Sequence, residues 1–266
     1  MVLGARDWLG ASPRGLVPER DSDSRPGYDP RTVADAPDLS IIVFAYNEAQ
    51  NVAPVLSELR QWLQAHEPGA EIVFVDDGST DASGDEAARA LAGMPHTLLR
   101  HATNRGIGAA IKTGTAAAKG PWVTFLPADG QIDPAAIGTL RAAAANADVV
   151  FSVYADRNDG LDRKLLSWGV RALVLAVHGV RMRCDGPYLF RRALFHPEQL
   201  PSDSFFLNFE FPIRVLVARE RTQVVTIDCR PRRSGRSKSA RLRTVLLVGS
   251  ELLAFRVRRL RERIGA

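Results

Sequence analysis

The chain has 266 residues, of which 45% are hydrophobic and 24% charged, with a formal net charge of +5. This composition is typical of one globular domain and excludes a chain that is disordered throughout. No run approaches the roughly 20 apolar residues of a bilayer-spanning helix, and the two cysteines, Cys184 and Cys229, are too few for a disulfide framework and predict free thiols in a reducing compartment.

The first 37 residues contain charges and prolines where a signal peptide needs an unbroken apolar stretch. We therefore expect a loosely ordered leader over residues 1–37, a main domain over 38–240 and a basic amphipathic helix over 241–266.

Short apolar runs alternate with helical patterns along the main domain. The predicted strands are LSIIVFA, EIVFVD, HTLLR, WVTFL, DVVFSV and QVVTID, and the predicted helices cover about 51–66, 82–92, 107–118 and 134–146. Continuous apolar strands separated by helices predict an α/β fold with a mainly parallel sheet covered on both faces. Asp133 followed by Pro134 predicts the beginning of the fourth helix.

Polar residues follow three of these strands. Glu48 follows the first strand, Asp76 and Asp77 end the second, and Asp129 and Gln131 follow the WVTFL strand. Ligands of open parallel sheets bind beyond the carboxyl ends of the strands, so the pattern predicts one acidic crevice. The alternative is a set of ordinary turn and helix-cap residues, which is a weaker explanation for three strand ends together.

The segment NRGIGAAIKTG does not fit a nicotinamide-binding loop. Gly106 and Gly108 are present, but Ile111 occupies the third glycine position and the loop follows the third strand. The two glycines still predict a tight turn whose amides face a phosphate at a helix N-terminus.

The C-terminal part of the chain is strongly basic. From Arg230 onward twelve Arg and Lys residues stand against two glutamates, which gives +10 there and leaves −5 on the preceding residues. Such a segment favours a polyanionic partner, either phosphate groups or an anionic membrane, over a merely solvated surface. Nucleic acid is not expected, because the segment lacks interleaved aromatic residues.

Two apolar segments bear on membrane contact. The segment 164–180 is apolar around most of its circumference, which favours a buried core helix. The segment RLRTVLLVGSELLAFRVRRLRERIGA has arginines at both ends and is typical of an interfacial helix. A helix that contacts a second copy or a separate membrane protein is the alternative.

The motifs AYNE, VDDGSTD, NRGIGAAIKTG and PADGQ, in this order, resemble those of family 2 glycosyltransferases with the GT-A fold. DRKLLSWG, FLNFEFPIR and RRSGRSK are similar to the polyprenol-phosphate branch, which includes dolichol-phosphate mannose synthase. The resemblance implies transfer of a sugar, with mannose or glucose expected, from a GDP- or UDP-linked donor to a polyprenyl phosphate. It implies an enzyme peripherally associated with the cytoplasmic face of a membrane.

The resemblance also assigns the donor site. It implies that the first two motifs and the glycine loop hold the nucleotide, and that the turn after the fourth strand holds Mg²⁺ or Mn²⁺ against the diphosphate. Pro127 stands where relatives carry a first metal-binding acid, so Asp129 and the Gln131 carbonyl remain as metal ligands, with substrate oxygens completing the shell. The implied nucleotide-binding residues are Ala45, Tyr46, Glu48, Asp76, Asp77, Gly106 and Gly108.

For the acceptor the resemblance implies a cationic cradle. A lipid phosphate is already anionic, so it needs no general base, and its direct attack inverts the anomeric centre. Asp129, Glu210, Arg236 and Lys238 are the implied catalytic residues, with Glu210 orienting the sugar or an arginine. The implied acceptor-phosphate residues are Arg157, Arg163, Lys164, Arg233, Arg236, Ser237 and Lys238.

Some positions depart from the branch. Phe44 replaces a proline, Tyr154 replaces an arginine whose charge Arg157 then carries, and Asp185 is shifted by three positions from the usual acid, which falls on Met182. An altered acceptor pocket is therefore expected. A family 2 enzyme with a soluble acceptor, or a catalytically weak nucleotide-sugar-binding protein, remains as an alternative.

Overall fold

The computed structural model describes residues 36–155, 161–231 and 242–264. These residues form a seven-stranded sheet with the order β3-β2-β1-β4-β6-β5-β7. All pairings are parallel except those of β6, which runs antiparallel to β4 and β5. The strands are β1 Leu39–Ala45, β2 Glu71–Asp76, β3 His96–Arg100, β4 Trp122–Pro127, β5 Val149–Tyr154, β6 Leu189–Arg191 and β7 Thr222–Ile227.

Within the part of the chain that the structure describes, seven α-helices connect or follow the strands. The order confirms the predicted α/β fold with a mainly parallel sheet, and the four predicted helices end within a few residues of the observed ones. The helices are α1 Ala49–His66, α2 Ser83–Ala90, α3 Ile107–Ala117, α4 Ala135–Ala143, α5 Leu161–His178, α6 Leu207–Ala218 and α7 Leu242–Ile264.

The central strands are buried because their apolar side chains alternate between two cores. Ile41, Val43 and Phe74 belong to the core beneath α1, whereas Ile42 and Val73 pack on the other face with α3. At the beginning of α4 the Asp133 carboxylate accepts a hydrogen bond from Ala135 N at 2.8 Å, as expected from the Asp-Pro pair. Strand β6 was not predicted from the sequence, because three residues carry no periodic signal.

A third core lies where α5, α6 and α7 meet. Leu252 and Phe255 of α7 are fully buried and pack with Val174 of α5 and Phe206. The prediction of a buried core helix over 164–180 is wrong in part, because Trp168 is 71% exposed and Leu175 43% exposed. Over residues 168–178, where side-chain exposure is described, one side of α5 is covered and the other is exposed. Within the described ranges, no helix has the combined length and apolarity that crossing a bilayer requires.

Candidate functional site

The carboxyl ends of β2, β1 and β4 are adjacent along one edge of the sheet. Ala45 pairs with Asp76, and Phe44 pairs with Pro127. Asp77 N donates to the Ala45 carbonyl at 2.9 Å, and Ala128 N donates to the Phe44 carbonyl at 3.0 Å. The strand order therefore brings the three polar strand ends together.

Asp77 is a buried carboxylate that holds the loop before α3. Its oxygens accept hydrogen bonds from His101 Nδ1 at 2.6 Å, Asn104 Nδ2 at 3.1 Å, Arg105 N at 3.0 Å and Gly106 N at 2.8 Å. His101 Nε2 lies 2.9 Å from Thr113 Oγ1, which fixes the ring from its other side. Asp77 therefore shapes the predicted nucleotide loop.

The other two acids at the ends of β1 and β2, Glu48 and Asp76, also accept hydrogen bonds from nearby groups. Asp76 is fully buried and accepts from Arg100 Nε at 2.7 Å and Ser79 N at 2.9 Å. The Glu48 carboxylate accepts from Asn51 Nδ2 at 2.6 Å. Asn47, with a left-handed φ of 53°, accepts from Thr80 N at 2.8 Å, so the β1 and β2 turns are joined. Tyr46, which stands between Ala45 and Asn47 in the turn after β1, is half-buried.

The turn after β4 contains Asp129 and Gln131. The half-buried Asp129 accepts a hydrogen bond from Gln131 N at 3.0 Å. The Gln131 main-chain carbonyl accepts from Arg230 N at 2.8 Å, which leaves its second lone pair for a ligand. The described residues contain no group of three or more His, Cys, Asp and Glu able to hold a metal ion. Metal binding by Asp129 and Gln131 therefore stays a prediction, in which substrate oxygens supply the remaining ligands.

Gly106 and Gly108 allow a close approach between two segments. A Cβ on Gly106 would lie 2.8 Å from the Asp203 carbonyl oxygen, and one on Gly108 would lie 2.5 Å from the Ser204 carbonyl oxygen. Ala109 N in the first turn of α3 donates to the Asp203 carbonyl at 3.1 Å. Part of the helix N-terminus is thus satisfied by the chain itself, while phosphate binding there stays a prediction.

Glu210 is a fully buried acid on α6. Its oxygens accept hydrogen bonds from Arg258 Nη2 at 3.2 Å and Ser202 N at 3.3 Å. Burial raises the pKa of Glu210, while the Ser202 amide and the positive charges of Arg258 and Arg214 act in the opposite direction. The partner of Glu210 in the structure is therefore an arginine, one of the two roles expected for it.

A cavity of about 720 Å³ lies between the Asp77-bound loop, the segment before α6 and helix α7. Its polar lining includes Asn104, Arg105, Asp203, Glu251 and Arg258. Arg105 Nη2 pairs with Asp203 at 3.2 Å. The cavity thus adjoins the predicted nucleotide loop.

Several predicted acceptor residues cannot be placed. Arg157, Arg233, Arg236, Ser237 and Lys238 lie outside the described residues, and only the backbone of Arg163 and Lys164 is described, in α5. Sequence reasoning did not single out two residues that contact site residues. These are His101 beside Asp77 and Arg258 beside Glu210.

Known proteins resemble this chain in sequence and in structure. The model of glycosyl transferase family 2 matches residues 40–209, well over half of the chain. The chain belongs to this family. The match runs from β1 into α6 and therefore includes the three acidic strand ends and the Asp77-bound loop.

Two curated relatives of this family 2 chain are named for polyprenyl-phosphate chemistry. The dodecaprenyl-phosphate galacturonate synthase of Rhizobium johnstonii is 29% identical over 154 residues, 56% of this chain and 46% of the relative. The dolichyl-phosphate beta-glucosyltransferase of Trichomonas vaginalis is 31% identical over 182 residues, 62% of this chain and 55% of the relative. The chain spans about half the length of these relatives.

Solved structures confirm the GT-A fold. Glucosyl-3-phosphoglycerate synthase from Mycobacterium tuberculosis, in complex with Mn²⁺, UDP-glucose and phosphoglyceric acid, superposes with a TM-score of 0.64 at 20% identity. The superposition covers 87% of this chain and 85% of the synthase. At this identity the likeness shows the fold alone.

Proposed function

We propose that this family 2 glycosyltransferase moves a hexose, mannose or glucose, from a GDP- or UDP-linked donor to a polyprenyl phosphate. The observation that carries the proposal is the adjacency of the β2, β1 and β4 ends with their acids, in a chain whose relatives are named for polyprenyl-phosphate products. The solved neighbour with UDP-glucose supports a nucleotide-sugar donor.

The donor site in this proposal lies at the three strand ends. Ala45, Tyr46 and Glu48 contact the nucleotide. The buried Asp76 and Asp77 act indirectly, Asp76 by holding Arg100 and Ser79 and Asp77 by holding the loop with Gly106 and Gly108. Asp129 and Gln131 would hold Mg²⁺ or Mn²⁺, which when bound neutralises charge on the leaving diphosphate. The Mn²⁺ complex of the solved neighbour supports a divalent cation.

The transfer itself needs no protein base. An anionic oxygen of the acceptor phosphate attacks the anomeric carbon, the bond from that carbon to the diphosphate breaks, and the nucleoside diphosphate leaves with its electron pair. The expected product has an inverted anomeric centre. The arginines and lysines predicted for the acceptor phosphate offset its repulsion from the diphosphate.

We also propose peripheral contact with an anionic membrane through α5 and α7. Trp168 is 71% exposed on α5, and Leu253 is 55% exposed on α7, beside a helix surface rich in arginine. Flotation with phosphatidylglycerol vesicles should fall for Trp168→Ser and Leu253→Ser but not for Val224→Ser, an exposed residue of β7. Equal flotation of all four proteins contradicts this contact.

Thermal-shift screening of nucleotide sugars tests the donor site. A bound donor raises the apparent melting temperature by mass action, and the increase should need Mg²⁺ or Mn²⁺. Asp129→Asn should lose the metal-dependent part, whereas Asp85→Asn, an acid with a 71% exposed side chain, should keep it. A screen in which no nucleotide sugar stabilises the wild-type chain overturns the proposal.

The acceptor is tested by initial rates with two classes of phosphate. Undecaprenyl and dolichyl phosphate in detergent should accept the sugar, and 3-phosphoglycerate, which is named with the solved neighbour, should not. Transfer to 3-phosphoglycerate alone would assign the chain to a soluble acceptor.

A further inference from the structure

The C-terminal helix α7 contacts the predicted site residue Glu210 and the segment before α6. Arg258 Nη2 donates to Glu210 Oε1 at 3.2 Å, and the Glu251 carboxylate accepts from Ser204 Oγ at 3.1 Å. Arg258 and Glu251 also line the cavity of about 720 Å³, whose lining includes Asn104 and Arg105 of the Asp77-bound loop. Helix α7 and the predicted nucleotide loop therefore line the same cavity.

Arg258 is held in place by the packing of its own helix. Phe255, one turn earlier, is fully buried, and the Arg258 guanidinium carbon lies 5.7 Å from the centroid of its ring. Leu252 on the preceding turn is also fully buried in the core formed with α5 and α6. The core that involves three helices thus fixes the part of α7 from which Arg258 extends towards Glu210.

The buried Glu210 carboxylate depends on the cations that face it. Arg258 reaches it from α7, Arg214 faces it from α6, and the Ser202 amide donates from the preceding loop. Removing one partner of a buried charged pair leaves an uncompensated charge, which the remaining group relieves by taking up a proton or turning to water. Without Arg258 the pKa of Glu210 should therefore rise further.

We propose that Arg258 is a positioning residue that holds the Glu210 carboxylate in its orientation beside the cavity, so that the C-terminal helix completes the active site. The proposal rests on the proposed function and on the catalytic role that the family resemblance implies for Glu210, a role that requires a fixed orientation of the carboxylate. Helix α7 then positions a predicted catalytic residue in addition to its proposed contact with a membrane.

Titration of Glu210 by ¹³C NMR tests the pairing in the full chain without substrates. The side-chain carboxyl signal is assigned by its loss in Glu210→Gln. The pKa of Glu210 should rise in Arg258→Met, return towards the wild-type value in Arg258→Lys, and stay unchanged in Arg221→Met. Arg221 is the matched control, because this arginine, which directly precedes β7, pairs with a different acid, Asp148, at 2.7 Å. An unchanged titration in Arg258→Met overturns the inference.

Initial rates of sugar transfer test the consequence for catalysis. Arg258→Met should lower kcat by about tenfold or more at neutral pH, with little change in the KM for the donor, and Arg258→Lys should recover part of kcat. A wild-type rate in Arg258→Met, with a shifted Glu210 titration, contradicts the positioning role. Absence of transfer in the wild-type chain instead counts against the proposed function, so the two failures are distinguishable.

Discussion

His178 at the end of α5 makes folding stability depend on pH. Its ring is 6% exposed, and its Nε2–H donates to the Leu252 carbonyl of α7 at 3.2 Å. Its Nδ1 accepts from Arg259 Nη1 at 3.3 Å, which a neutral ring allows and a protonated ring does not. Burial lowers the pKa of His178 to about 4, and the charge of Arg259 adds to this effect.

The size of the effect follows from proton linkage. Between about pH 4 and 6.5 the unfolded chain binds a proton at this histidine that the folded chain does not bind, so stability is present above this window and is lost as the pH falls through it. With a pKa of about 4 in the folded state and 6.5 in the unfolded state, the loss between pH 7 and pH 5 is about 2 kcal/mol.

Urea unfolding of the wild type and of His178→Gln at both pH values measures this loss. Glutamine does not titrate and keeps an amide donor for the Leu252 carbonyl, and the other ionisable groups contribute equally to both proteins. The wild type should therefore lose about 2 kcal/mol more than the variant between pH 7 and pH 5. An equal loss in both proteins would refute the neutral, buried histidine.

Four further substitutions, of which Gly249→Ala is a control, test particular contacts. Gly108→Ala should lower the free energy of unfolding in urea by about 2 kcal/mol, because its Cβ would meet the Ser204 carbonyl oxygen. Gly249→Ala on α7 is the control, since its Cβ meets nothing within 4 Å, and it should stabilise the chain by about 0.5–1 kcal/mol. Equal effects of the two substitutions would contradict the close approach at Gly108. Tyr188→Phe should raise stability by about 1 kcal/mol, since its hydroxyl is buried with no hydrogen-bond partner among the described residues, and a lower melting temperature would count against this. Asp77→Asn should cost about 2–3 kcal/mol and weaken donor binding in calorimetry, because an amide group would face donors; wild-type binding would refute its role in shaping the loop.

Much of the sheet was predictable because its strands are apolar and rich in β-branched residues. All six predicted strands are present, and their parallel order places the carboxyl ends of β2, β1 and β4 side by side, whereas a shared acidic crevice stays a prediction. The exposure of α5 was not predictable from its composition, because an apolar circumference does not show which side neighbouring helices cover. Trp168 and Val174 are similarly apolar, yet one is 71% and the other 1% exposed.

Only some of the contacts of α7 were predictable from the sequence. Val248, Leu252, Phe255 and Arg259 recur at helical spacing and are the buried positions among residues 248–261 of this helix, so the sequence contains the signal for its inner face. The partner of Arg258 is 48 residues away on another helix, and no local pattern identifies such a pair. Sequence spacing thus predicts which face is buried, whereas the tertiary fold decides which charges meet.

Partition of radiolabel tests the central claim most directly. The chain is incubated with Mn²⁺, undecaprenyl phosphate and either UDP-[¹⁴C]glucose or GDP-[¹⁴C]mannose, and the products are extracted into butanol. The account predicts that label from one donor enters the organic phase only when lipid phosphate is present, and that Asp129→Asn reduces this transfer at least a hundredfold, roughly the cost of losing one major transition-state contact. Label that stays in the aqueous phase with both donors, or enters butanol equally with Asp129→Asn, would contradict it.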